Sequence, residues 1–131
     1  MRRSLACLAL AALSTGALGA TSAVGAKGTF PHVDTQEAAI FRGNIVFKNY
    51  CILCHGAKAD GTGRAAKLYT PKPANLLLST KNDAYRELII RQGGAALGRS
   101  EFMPPWAEEL TKEQISDVVA YLRSIGKGPT S

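Results

Sequence analysis

Apolar residues recur at helical spacing in three stretches of the chain, separated by segments rich in turn formers. In the first stretch Ile40, Phe47 and Tyr50 fall on or near one face, with Ala39 and Val46 beside it. Asp34 stands ahead of it as the expected cap, and Glu37 three residues on completes a capping box. Gly43 sits in the middle of this helix. Glycine there costs roughly 1 kcal/mol relative to alanine, so it points to the close approach of another helix. The second stretch runs from about Asn82 to Gln92, with Tyr85, Leu88 and Ile89 as its buried stripe. Thr80 and Asp83 are its expected capping pair, and Gly93-Gly94 stops it. The third begins at Thr111 with Gln114 as its capping partner and carries Ile115, Val118, Val119, Leu122 and Ile125, flanked by Tyr121. Gly126 ends it.

Asp60-Gly61-Thr62-Gly63 and Pro71-Lys72-Pro73 mark a long loop between the first two helices, and Gly98 to Glu109 forms another before the third. No run alternates as a strand would, and no segment repeats. The pattern predicts an all-α fold of three main helices and long loops. Loops of this length are uncommon in a small domain unless something fills its middle. A large apolar cofactor would do so, and would add core that roughly a hundred residues of helix and loop otherwise lack.

Composition changes the picture mainly at the N-terminus. Met1-Arg2-Arg3, the short apolar run Leu5 to Leu13 and the small residues from Ser14 to Ala26 follow the order of a secretory signal peptide. The apolar run is well short of the roughly 20 residues that span a bilayer. Cleavage is expected after Gly19 or after Ala26. Cys7 leaves with the leader, so the exported chain keeps Cys51 and Cys54 in an oxidising compartment. The formal charge of +6 falls to +4 once Arg2 and Arg3 are gone, with fourteen Lys and Arg against ten Asp and Glu. That surplus reads either as a face that guides docking to an acidic partner or as an ordinary solvated surface. No basic run interleaved with aromatics points to nucleic acid.

The candidate chemistry lies in Cys51-Ile52-Leu53-Cys54-His55, a C-x-x-C-H sequence of the kind that attaches haem covalently. Two thiols at this spacing reach two vinyl groups on one side of a porphyrin, and the adjoining imidazole reaches the iron. Two further haem propionates would lower the net charge to about +2. Three competing readings fit less well. A thioredoxin-like dithiol belongs near a βαβ pattern, which is absent. A zinc site wants four ligands, and the exported chain offers only His32 in addition. A plain disulfide leaves His55 without a role.

With these residues in view, the chain resembles the class I c-type cytochromes over about Thr35 to Ile125. Gly43 and Phe47, eight and four residues before Cys51, match the glycine and aromatic of that family's first helix; Val118 and Tyr121 match the pair in its last. The resemblance implies a sixth iron ligand from a methionine followed by proline, here Met103-Pro104, with His32 a poor rival. It also implies a proline carbonyl that fixes the tautomer of His55, from Pro71 or Pro73. Trp106, Tyr69, Asn75 and Arg91 are further candidates to line the haem.

The implied protein is a periplasmic single-electron carrier with one haem c, attached through Cys51 and Cys54 and ligated by His55 and Met103. Its partners would be a redox donor and a redox acceptor, and the protein would be a monomer or a subunit of a larger redox complex. With the leader removed, no transmembrane span is expected. The expected boundaries are a leader over 1–26, a short extension over 27–34, a cytochrome c domain over 35–126 and a tail over 127–131. No nucleophile, paired catalytic carboxylates or phosphate loop is visible, and Gly61-Thr62-Gly63 reads as a turn. The rival functions are a haem subunit of a dehydrogenase or oxidase, and a peroxidase-like protein with a labile methionine.

Overall fold

The computed structural model describes residues 34–127. The expected leader, nearly all of the 27–34 extension, His32 and the tail beyond Lys127 lie outside the described residues. Four α-helices follow in order: α1 (Gln36–Tyr50), α2 (Ile52–His55), α3 (Asp83–Gln92) and α4 (Lys112–Ile125). The described residues form an all-α fold with no strand. The long loops also hold three 3₁₀ turns, Ala66–Leu68, Leu76–Leu78 and Ala95–Leu97.

The helices begin where side chains satisfy free amides, though not always where the capping pattern predicts. α4 has the expected box: Thr111 Oγ1 accepts from the Gln114 amide at 3.2 Å, and Gln114 Oε1 accepts from the Thr111 amide at 2.9 Å. α1 is capped by Thr35, whose hydroxyl accepts from the Ala38 amide at 3.1 Å, and not by Asp34. α3 is capped by Asn82, which accepts from the Tyr85 amide at 2.9 Å, and not by Thr80. In both, a nearby capping residue displaces the predicted one, a shift of one or two positions that pattern alone does not resolve.

α1 crosses α4 at Gly43. A Cβ on Gly43 would overlap the carbonyl oxygen of Asp117 and stand 2.9 Å from Tyr121 Cβ. No other residue allows this approach, so the helix-propensity cost is offset by the packing it permits. Around the crossing Phe47, Ile115 and Val118 are fully buried, and the Phe47 and Tyr121 rings lie 5.4 Å apart. Val46, Val119 and Leu122 extend this core, and Ile90 and Leu110 join it.

Two expectations about the core change. On α3 the buried residue is Ile90, while Leu88 is exposed and Tyr85 and Ile89 line a cavity. Tyr50 is also exposed, with its ring edge-on to Trp106 at 5.6 Å. The stripe on α4 includes an unexpected member: Asp117 is buried. Its carboxylate is bound by both ends of the Arg42 guanidinium, Nε to Oδ2 at 2.6 Å and Nη2 to Oδ1 at 2.9 Å. A buried carboxylate without such a partner would be strongly unfavourable.

Candidate functional site

The C-x-x-C-H sequence occupies the break between α1 and α2. Cys51 is both the last cap of α1, its amide donating to the Phe47 carbonyl at 2.9 Å, and the first cap of α2, its carbonyl accepting from the His55 amide at 2.9 Å. One further turn of helix therefore carries Cys54 and His55. So short a helix leaves its carbonyls free, and the loop that follows returns to meet them. Gly61 N donates to the His55 carbonyl at 2.8 Å, Gly63 N to that of Cys54 at 3.1 Å and Ala65 N to that of Leu53 at 3.0 Å. A Cβ on Gly63 would overlap the backbone of Leu53 and Cys54, so glycine is required at that return. The Gly61-Thr62-Gly63 stretch is the expected turn, held by Asp60 Oδ1, which accepts from the amide and the hydroxyl of Thr62 at 3.0 and 2.6 Å.

His55 is oriented by the backbone. Its Nδ1 lies 3.0 Å from the carbonyl oxygen of Ala74. A carbonyl only accepts, so Nδ1 carries the proton and Nε2 keeps its lone pair for a metal. The partner is therefore Ala74 and neither Pro71 nor Pro73, although the carbonyl follows Pro73 directly. Leu76 N donates to the Ala59 carbonyl at 2.8 Å, which ties this segment to the loop behind His55 and sets which carbonyl arrives. Burial pushes the imidazole below its ordinary pKa, opposed by its bond to Ala74, so it stays neutral and able to bind a metal. Burial, reinforced by Cys54, pushes the Cys51 thiol up to about 12. Both thiols are free.

A cavity of about 740 Å³ opens between the attachment turn and the loops. Cys51, Cys54, His55 and Met103 all line it, Met103 arriving from the loop after α3. That loop is pinned by Gly94 N donating to the Met103 carbonyl at 2.8 Å and Trp106 N donating to the Ile90 carbonyl at 2.9 Å. Phe47, Ile90 and Leu122 carry the cavity down to the core. Trp106, Tyr69 and Asn75 line it as expected, and Arg91 does not; its guanidinium lies 3.7 Å from Glu87. Tyr85 and Arg99, which sequence reasoning missed, do line it. No motif marks them, since they meet only when the Met103 loop folds against α3.

The cavity fits a haem. Its size is that of a cofactor site, its lining is largely apolar, and it joins two thiols, an imidazole with a free Nε2 and a thioether. Among the described residues no three His, Cys, Asp or Glu side chains gather as a metal cluster, so nothing there resembles a structural zinc site. No described helix is long and apolar enough to cross a membrane.

A family model described as cytochrome c matches residues 40–126. Among solved structures, a chain of the Kuenenia stuttgartiensis reducing HAO-like protein complex matches at 31% identity and a TM-score of 0.54, over 65% of this chain. The match spans 41% of the length of that larger chain. A search among curated proteins finds no match.

Proposed function

The chain belongs to the cytochrome c family, whose members bind haem c covalently and transfer electrons, and we propose that this one is a periplasmic carrier of single electrons with one haem. Cys51 and Cys54 would hold the haem by thioether bonds, formed as each S–H adds across one vinyl group, and His55 and Met103 would bind its iron. One observation carries this reading: the attachment residues and Met103, far apart in sequence, line one cavity. The haem supplies the one-electron iron couple. His55 contributes a neutral imidazole held in one tautomer by Ala74. Met103 contributes a thioether, a weak donor that favours the reduced metal and so raises the potential. The apolar floor of Phe47, Ile90 and Leu122 offers water no hydrogen-bonding side chain. With His55 and Met103 as its iron ligands, the haem would need no substrate site, and the proposed role is transfer rather than catalysis.

The intact mass of the exported protein tests export and attachment together. We expect the mass of a chain shortened by its leader and enlarged by one haem; an unshortened or unenlarged chain overturns the corresponding part. Met103→Ala tests the sixth ligand. The variant is expected to have a lower potential and to bind carbon monoxide in its ferrous form, and binding no stronger than in the parent removes Met103 from the iron.

The match to part of a chain from a protein complex favours a second reading, a haem subunit of a larger oxidoreductase. Gel filtration of the native extract separates the two. A small free species supports a shuttle, and steady co-migration with a large enzyme supports a subunit.

A further inference from the structure

The cavity wall is one-sided in charge. Lys72, Lys81, Arg86 and Arg99 line it, but no aspartate or glutamate does, although the chain contains ten acidic residues. A partly enclosed cavity with this lining suits an anionic occupant. The four cations are not equivalent. Arg86 is already engaged, Nη1 with Asp83 at 3.1 Å and Nη2 with the Ser79 carbonyl at 3.3 Å. Lys81 lies over the Tyr85 ring at 5.0 Å, and Lys72, with no partner among the described residues, is a single point charge without the planar fork of an arginine. Among the described residues, Arg99 has no carboxylate partner; its Nε donates to the Tyr85 hydroxyl at 3.2 Å. That contact uses one donor of the guanidinium and one lone pair of the phenol. It leaves both Nη groups and the phenolic O–H as unspent donors in the cavity wall.

Arg99 is also held at its backbone. Its amide donates to the Gly94 carbonyl at 2.8 Å, and the Gly94 amide donates to the Met103 carbonyl at 2.8 Å. The backbones that carry the guanidinium and the candidate thioether ligand are thus fastened to the same residue.

We infer that Arg99, held by Tyr85, is the carboxylate-binding pair of this cavity and takes a propionate of the haem. The inference rests on the haem reading above. A guanidinium fork matches a carboxylate in shape and charge, and the phenol adds a third donor. The pair orients the cofactor and neutralises a negative charge near the iron, which disfavours the ferric state.

The test is the midpoint potential of the purified holoprotein, measured across the neutral pH range after its mass has established that haem is attached. Arg99→Gln is expected to lower the potential. It should also move the acid-side rise in potential to higher pH, because a carboxylate that loses its cation takes up a proton more readily. Tyr85→Phe should shift both in the same direction by less, and Arg99→Lys should restore most of the potential. The other charged and titratable groups in the wall are Tyr50, Tyr69, Lys72 and Lys81 before α3, Arg86 on it, which is bound to Asp83 outside the wall, and Cys51, Cys54 and His55. All are retained in these variants, so the difference from the parent isolates the pair. Arg91→Gln, outside the cavity, should leave the profile unchanged. An Arg99→Gln holoprotein with the parent profile, or one matched by Arg91→Gln, overturns the inference while the haem reading stands. If Arg99→Gln does not mature, Tyr85→Phe decides, and a parent profile there overturns it. A parent protein without haem overturns both.

Discussion

The crossing of α1 with α4 and the loop wall of the cavity are built on different principles. At the crossing, backbone groups are satisfied within the helices, and Phe47, Ile115 and Val118 each keep 1% of their surface exposed. In the loop wall, order depends on a few long-range backbone bonds, such as Leu76 to Ala59 and Gly94 to Met103. There Leu78 and Phe102 remain 63 and 45% exposed. The crossing is a complete piece of protein core. The wall is an incomplete one, whose apolar lining finds its counterpart only in a bound ligand. Stability and chemistry are therefore divided between the two regions, and substitutions should separate them.

The largest effect is expected at Gly43. Helix propensity alone says that Gly43→Ala stabilises by about 1 kcal/mol. The overlap with the Asp117 carbonyl says that it destabilises, by about 3 kcal/mol if the helices must move apart. Urea unfolding of the holoprotein distinguishes the two by sign, and a higher midpoint would contradict the close crossing. Arg42→Leu comes next. It strands the buried Asp117 carboxylate, so the urea midpoint should fall, but by less than at Gly43, because Arg42 is itself more than a third exposed. Asp117→Asn combined with Arg42→Leu should recover part of that loss, and a double variant no more stable than Arg42→Leu alone would count against the pairing. The smallest change is expected from Thr111→Ala, which removes one arm of the α4 capping box and should cost about 1 kcal/mol in the same measurement. All four variants should leave the iron's absorption spectrum as in the parent. A crossing variant that alters iron ligation while still folded would show that the two regions are coupled more tightly than this division allows.

Much of the crossing was legible in the chain. The α4 stripe, its capping box and the demand of Gly43 for a close neighbour follow from spacing and residue type, because helix geometry converts sequence distance directly into a shared face. Asp117 was not legible. A carboxylate between Ile115 and Val118 reads as solvent-facing until the Arg42 guanidinium is known to reach it from another helix. The caps at Thr35 and Asn82 were missed for a smaller reason, since neighbouring residues of similar capping chemistry compete for the same amides.

For the candidate site, sequence by itself determined the kinds of donor present and their local spacing. Cys51, Cys54 and His55 fall within one helical turn, and Met103-Pro104 stands ahead of the last helix, because short-range geometry follows from chain connectivity. Only the tertiary structure decided what meets what: Ala74 and not a proline carbonyl at His55, Arg99 and not Arg91 in the cavity wall, Tyr85 facing the cavity beside Arg99. Those contacts join loops to helices across long separations. Their register is set by a few backbone bonds and by the shape of the space they enclose, which no local pattern of residues encodes.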